Sequence, residues 1–326
     1  MLGFFGACLV VIALLMANGT TWFYCWMMLE LSTFFCVPFL FSREVSSILK
    51  ISVWKYFVVQ TLGSSVFFLS MTLYNGGLFV NSSFEGIYNI LTLAALMMKL
   101  GLPPFHNWLF EMSENLSWIK LLMINTIQKI NPLVLVWSFS NATVVPIIVF
   151  MSAAWSMNCL FDFSVRRFFV YSSMLNLSWL ILTTQSDKMY LMSFFLVYSM
   201  SMICIMLVFH DFNVNKFMDI FYFSKSFNFS FVLIIITSML SLCGFPPFLG
   251  FYMKISILVE YLSSSYSFEF IVSLMTVFAS AVMMYMYMYL FMFVYLKKSM
   301  SLMMSMKHGL IYSMITSMNF FIPIII

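Results

Sequence analysis

The chain predicts an all-α polytopic membrane protein, a single transmembrane domain of about eleven helices with two of them discontinuous. Three observations carry that prediction. The residues are 63% hydrophobic and only 8% charged, against about 25% charged in a soluble domain. Apolar runs long enough to cross a bilayer recur between short polar stretches along the 326 residues. One interruption also occurs twice, as Gly101-Leu-Pro103-Pro104-Phe105 and as Gly244-Phe-Pro246-Pro247-Phe248.

In chain order, the spans fall at about residues 2–17, 21–41, 54–74, 87–112, 118–139, 143–161, 168–186, 189–209, 229–262, 268–296 and 309–326. The first is short, and the fourth and ninth carry the double prolines. The positive-inside rule checks this order independently. Arg43, Lys50, Lys55, Lys120, Arg166, Arg167, Lys216, Lys225, Lys297, Lys298 and Lys307 fall on the side of the amino terminus, and only Lys188 falls on the other. The remaining basic residues, Lys99, Lys129 and Lys254, lie within spans. Adding or losing one span mid-chain would scramble that partition, so the expectation is eleven, with the amino terminus in the positive compartment and the carboxyl terminus opposite. No arginine-rich leader or small-residue cleavage site opens the chain, so no targeting segment is expected.

The fourth and ninth spans are an odd number of crossings apart and so run in opposite directions. The same signature crossing both ways is what an inverted repeat of about five helices produces. The expected organisation is a first repeat over about 1–140, a second over about 141–296, and a terminal helix over about 309–326. A double proline can do no more than kink a packed helix. Its recurrence at matching places in two inverted halves instead points to a transport site near the midplane. The backbone groups that a break releases are tolerated at membrane depth only inside protein or beside water.

Four ionisable residues lie too deep to be surface groups. Lys129 is about 16 Å along its helix from Trp118, near the centre of a hydrocarbon core roughly 30 Å thick, beyond the reach of a snorkelling stem. Lys99 is comparably deep, Lys254 follows the second break, and Glu30 lies about 14 Å in from Thr21. Burial disfavours a charged amine and a neighbouring carboxylate favours it, so a buried lysine with a movable acidic partner can take up and release a proton. Glu30 is the only carboxylate deep in a span and is the natural partner of Lys99. A static pair would account for Glu30 and one lysine, but it leaves two deep lysines without a structural reason. Lys55 and Lys120 sit near helix ends, within snorkelling distance of water, and Lys55 stands as a further pathway candidate. His106, inside the first break, could relay a proton or cap released carbonyls. Arg166 and Arg167 are read as a topological anchor, and Glu111 and Glu114 as solvated.

Composition also excludes several classes. The six cysteines and three histidines are dispersed with no C-x-x-C pair, so no metal or iron–sulfur site is expected. No G-x-G-x-x-G motif follows a strand pattern, so no dinucleotide is bound. The net charge of +4 is small and spread out, which excludes nucleic acid as a partner. The 40 Phe and 32 Met hint at an A/T-biased mitochondrial genome.

Several segments in this order resemble the antiporter-like membrane subunits of respiratory complex I, in particular their animal mitochondrial members. They are Leu29-Glu30-Leu-Ser with Pro38-Phe, Lys55-Tyr-Phe-Val-Val-Gln60, Lys99 through Trp108, Leu116-Ser-Trp118, Gln128-Lys129-Ile-Asn-Pro132, Val165-Arg166-Arg with Tyr171-Ser-Ser173, and Ser241 through Lys254. The set covers about residues 25–260. The resemblance implies an antiporter-like fold, with fourteen helices in bacterial members and eleven in animal ones. It also implies that Glu30 pairs with the broken-helix lysine Lys99, that Lys129 is the central lysine, and that Lys254 is the exit-side lysine. Asn176 stands where animal members often carry histidine, so no proton role is expected there.

The expectation is a proton-translocating membrane-arm subunit of NADH:ubiquinone oxidoreductase in the mitochondrial inner membrane. Its amino terminus would face the matrix and its carboxyl terminus the intermembrane space. Such a subunit belongs to an enzyme without holding its NADH site or redox centres: FMN and the Fe–S clusters are expected in other subunits, and this chain is expected to need no cofactor. The partners implied are other membrane-arm subunits, accessory subunits and lipids such as cardiolipin. Protons would pass from Lys99 through Lys129 to Lys254, driven by a change at Glu30. A stand-alone cation/proton antiporter and a structural membrane spacer are the alternatives.

Overall fold

The computed structural model describes residues 2–16, 21–41, 47–75, 82–139, 144–162, 164–185, 188–212, 214, 229–263 and 267–295. All regular elements among them are helical. They are α1 (Leu2–Met16), α2 (Trp22–Leu40), α3 (Ser47–Asn75), α4 (Ser82–Leu100), α5 (Asn107–Asn115), α6 (Trp118–Asn125), α7 (Ile127–Ser138), α8 (Val145–Ser156), α9 (Val165–Leu182), α10 (Lys188–Asp211), α11 (Phe229–Cys243), α12 (Leu249–Ser263) and α13 (Ser267–Tyr295), with short 3₁₀ turns after α8 and α9. Ten of the apolar segments expected from sequence are therefore helical. The eleventh, at 309–326, lies outside the described residues, as do Arg43, Lys216, Lys225, Lys297, Lys298 and Lys307.

Two of the departures from the sequence reading are instructive. Helix α3 starts at Ser47 rather than near 54, because Ile48 to Val53 include no glycine or proline to stop it. The fifth span is also not continuous: α6 ends at Asn125 and α7 restarts at Ile127, two residues before Lys129 is reached. The Thr126 hydroxyl donates back to the Leu122 carbonyl at 2.8 Å, a bond that competes with the helix ladder. Pro132 supplies no N–H to the turn that follows.

Contacts divide the chain into two units, Met1–Ile148 and Val149–Ile326. In the first, α3 packs against α2, α4 and α5, and α7 against α1, α2, α4 and α6. Gly63 lets α3 and α4 approach, since a Cβ there would lie 3.2 Å from both the Ala95 carbonyl and Lys99 Cγ. In the second unit α9 is the core. All of its residues except Arg166 and Arg167 are buried, and α10, α12 and α13 pack on it. Arg167 opens that helix against the macrodipole, and Asp162 compensates by accepting from Arg167 at 3.3 Å and from the Tyr171 hydroxyl at 2.6 Å.

The surface of both units carries many apolar side chains. Leu14, Phe34, Trp54, Val259, Phe278 and Tyr285 are among many large exposed apolar or aromatic side chains, an outside suited to lipid rather than water. Among the described residues, five helical stretches are long and apolar enough to cross a membrane: Trp22–Leu40, Ser47–Tyr74, Trp118–Ser138 with its interruption at Thr126, Met189–Asp211 and Phe270–Leu290. Many buried serine hydroxyls are satisfied within their own helices. Ser32, Ser152, Ser172, Ser178 and Ser241 each donate to the carbonyl three residues earlier.

The two proline breaks share a helix cap and a closing turn, although among the described residues only the Pro103–Pro104 peptide is cis. Gly101 and Gly244 take positive φ values of 69° and 78°, the left-handed cap that ends many helices. The amide of the next residue bonds back over the end of the helix, Leu102 to the Met97 carbonyl at 3.1 Å and Phe245 to the Leu240 carbonyl at 3.0 Å. Each Pro-Pro pair then forms a tight turn, closed by Phe105 N–H to the Leu102 carbonyl at 2.8 Å and by Phe248 N–H to the Phe245 carbonyl at 3.1 Å. After the second break α12 restarts against the end of α11, so close that a Cβ on Gly250 would clash with the Ser241 carbonyl oxygen. Gly250→Ala must push the half-helices apart. We expect it to destabilise the protein by about 1–3 kcal/mol, the range for overpacking, read as a lower thermal midpoint of the detergent-solubilised protein.

Candidate functional site

Each break ends a helix at membrane depth, and a Schellman-type cap satisfies only the carbonyls further back. The last two carbonyls of α4 (Lys99, Leu100) and of α11 (Leu242, Cys243) must look to side chains. The two units meet that demand differently.

In the first unit Lys99 lies in the last turn of α4 with 6% of its surface exposed. Gln60, buried on α3, donates its amide Nε2–H to the Lys99 backbone carbonyl at 3.2 Å. The Lys99 ammonium donates no hydrogen bond among the described residues. The Glu30 carboxylate on α2 lies within electrostatic range of it. Glu30 is itself half-buried, and the Thr33 hydroxyl, which donates to its backbone carbonyl at 2.8 Å, lies 3.5 Å from its Oε2. The Trp108 indole covers Gly101, where a Cβ would meet its ring at 2.9 Å, and stacks obliquely on Tyr56 with centroids 5.3 Å apart.

In the second unit one side chain does the work of several. Lys254, on α12 and equally buried, donates to the Leu242 carbonyl at 3.2 Å and the Cys243 carbonyl at 2.9 Å. Its stem lies over Gly244, where a Cβ would be 2.9 Å from its Cδ. Its ammonium sits 5.8 Å above the centre of the Trp179 ring on α9. A cation on the last carbonyls of a helix is at the negative end of the dipole, and the indole face adds a cation–π attraction.

Lys129 is 2% exposed on α7, just past the Thr126 interruption. Its neighbour Gln128 donates to the Ser32 carbonyl at 3.2 Å, which ties α7 to the helix that carries Glu30. His106 is buried inside the first break, edge-on to Phe110 at 5.6 Å and engaged with the Pro104 backbone. Lys55 is about half exposed and ion-paired with Glu111, so Glu111 is not simply solvated. Lys120 does not reach outward. It is buried and donates to the Leu40 carbonyl at 2.8 Å, capping the end of α2, where a released carbonyl offers more than a distant water layer does.

Sequence reasoning singled out the lysines and Glu30 but missed the residues that hold them. Gln60 and Trp179 carried a legible signal, being polar or amphipathic residues in apolar spans. Gly250 gave none, because a close helix approach is a property of two segments. Among the described residues no group of His, Cys, Asp and Glu could hold a metal, and all six cysteines are free.

Residues 17–284, which include both breaks, Glu30 and the three lysines, match the family model for the transmembrane region of NADH:quinone oxidoreductases and Mrp antiporters. The chain belongs to this family. Relatives within it include NADH-ubiquinone oxidoreductase chain 2 of Anopheles gambiae, 35% identical over 248 residues that make up 73% of this chain and 70% of that one. The protein of the same name from Locusta migratoria is 29% identical over 239 residues, 73% of this chain and 69% of that one. The family fold extends over nearly the whole chain. A subunit of respiratory complex I from Thermus thermophilus superposes with a TM-score of 0.85 at 18% identity, covering 96% of this chain and 75% of that one. A chain of the Mrp complex from Dietzia superposes at 0.75 with 13% identity, covering 90% and 61%.

If Lys254 caps the α11 end as the geometry indicates, Lys254→Met leaves two buried carbonyls without their donor. It should lower stability by about 1–3 kcal/mol, while Lys254→Arg, which keeps a donor, should lose less. Thermal melts of the solubilised variants read the difference.

Proposed function

We propose that this chain is a proton-translocating membrane-arm subunit of NADH:ubiquinone oxidoreductase, in which Glu30, Lys99, Lys129 and Lys254 carry protons. The observation that carries the reading is the buried Lys99 ammonium, within electrostatic range of the Glu30 carboxylate and not bonded to it, while the Lys99 backbone carbonyl is satisfied by another residue. A charge in that setting holds its proton while the carboxylate is near and loses it when the carboxylate withdraws or is neutralised. Electron transfer elsewhere in the enzyme would supply the displacement. Lys129 and Lys254, both buried, are the later carriers, and water must link the amines. His106, engaged with the Pro104 backbone, fits a cap better than a relay. Lys55, committed to Glu111 at the exposed face, is the weakest of the pathway candidates.

Family membership and the chain 2 relatives support assignment to a multi-subunit redox enzyme in the mitochondrial inner membrane. Under this reading the FMN and Fe–S clusters reside in other subunits. The chain contacts other membrane-arm subunits, accessory subunits and lipids such as cardiolipin. The two breaks belong to inverted repeats of about 1–140 and 141–296, and the charge partition puts the amino terminus on the matrix side and the carboxyl terminus opposite. A stand-alone cation/proton antiporter shares the fold, as the Mrp likeness indicates. It would transport ions when purified alone, whereas this chain is expected to co-purify only with the redox assembly.

In the assembled enzyme, Lys99→Met or Lys129→Met should cut NADH-driven proton pumping roughly tenfold or more, as loss of a positioned acid–base group does. Measurement is by acidification of reconstituted vesicles. Native proton-to-electron stoichiometry with normal assembly would remove the pathway assignment.

A further inference from the structure

The two breaks expose the same atom. Lys99 and Leu242 each stand two residues before the left-handed glycine, and the carbonyl of each is beyond the reach of the backbone cap. In the second unit the Leu242 carbonyl is taken by the Lys254 ammonium. In the first unit the Lys99 carbonyl is taken by a neutral amide, that of Gln60. The glycine beside it is covered by an aromatic ring, Trp108, where the second break uses the lysine stem. The α4 end is thus capped by Gln60 and its glycine covered by Trp108, whereas in the other unit the lysine does both.

We propose that Gln60 is a positioning residue for proton transfer: by satisfying the Lys99 carbonyl with an uncharged donor, it removes an acceptor that would compete with Glu30 for the Lys99 ammonium. This inference rests on the proton-carrying reading of Lys99. Without a donor at position 60, the released carbonyl at membrane depth is a strong local acceptor. Its partial negative charge then draws on the nearby ammonium, as the α11 carbonyls draw on Lys254 from the next helix. An ammonium committed to its own helix end answers poorly to a carboxylate on another helix. Gly63 enforces the arrangement, because it brings α3 against the Lys99 stem and so sets the reach of Gln60, one turn away on the same helix.

The test uses the intact enzyme carrying Gln60→Met, which keeps the volume and removes the donor, and Gln60→His, whose Nε2–H restores one. Pumping by the assembled Gln60→Met enzyme is expected to fall roughly fivefold, the weight of one net hydrogen bond on the competent geometry, and Gln60→His to stay within about twofold of native. Native pumping by Gln60→Met, or an equal loss in Gln60→His, overturns the proposal. If Gln60→Met does not assemble, the isosteric Gln60→Glu decides. Its carboxylate offers Lys99 a second acceptor and no reliable donor, so pumping should be lost, and native pumping overturns the assignment. Lys99→Met run alongside separates the layers. If it pumps normally, the parent reading fails; if it is inactive while Gln60→Met is native, only the role of Gln60 falls.

Discussion

A backbone carbonyl released in hydrocarbon must find a donor inside the protein, and much of this chain is arranged around that demand. Most of its helices avoid it by running uninterrupted, with even their serines turned back onto their own ladders. At Gly101 and Gly244 the chain accepts it twice. The left-handed glycine and the turn at Pro-Pro satisfy part of the released backbone locally, and the rest falls to side chains reaching in from neighbouring helices. Lys254, Lys120 and Gln60 end on such carbonyls.

This casts the buried charges in a different light from a simple count of expensive residues. Lys254 and Lys120 each end on a helix C-terminus, at the Leu242 and Cys243 carbonyls and at the Leu40 carbonyl. There the dipole and the hydrogen bonds offset part of the cost of burying a cation. Lys99 is held apart from that arrangement, since its neighbouring carbonyl is already occupied by Gln60. A family that moves protons has reason to keep such a distinction, because an amine answers to a distant carboxylate only if nothing nearer holds it.

How much of this could be read in advance varied by residue. The depth of Lys99 and Lys129 followed from helix rise and the nearest polar punctuation, and both are buried. The breaks announced themselves through Gly-x-Pro-Pro-Phe, because proline and glycine act locally on the backbone. The interruption at Thr126 did not stand out, since a single hydroxyl turning onto Leu122 is one of several outcomes open to threonine in a helix. The Lys55–Glu111 pair and the Lys120 cap join residues 56 and 80 positions apart, and no local pattern encodes which distant group a long side chain meets.

Sequence by itself determined that the chain lives in a membrane, that its elements are helices, and that two of them break at matching motifs beside lysines. These follow from transfer free energy, backbone conformational limits and hydrogen-bond bookkeeping along a single segment. Tertiary structure alone decided which donor meets which released carbonyl. It set Gln60 on Lys99, Lys254 on Leu242 and Cys243, and Trp179 beneath the Lys254 ammonium. Those choices depend on helix approach distances of a few ångströms, set by contacts such as Gly63 against Lys99 and Gly250 against Ser241, and such distances exist only once two remote stretches have packed.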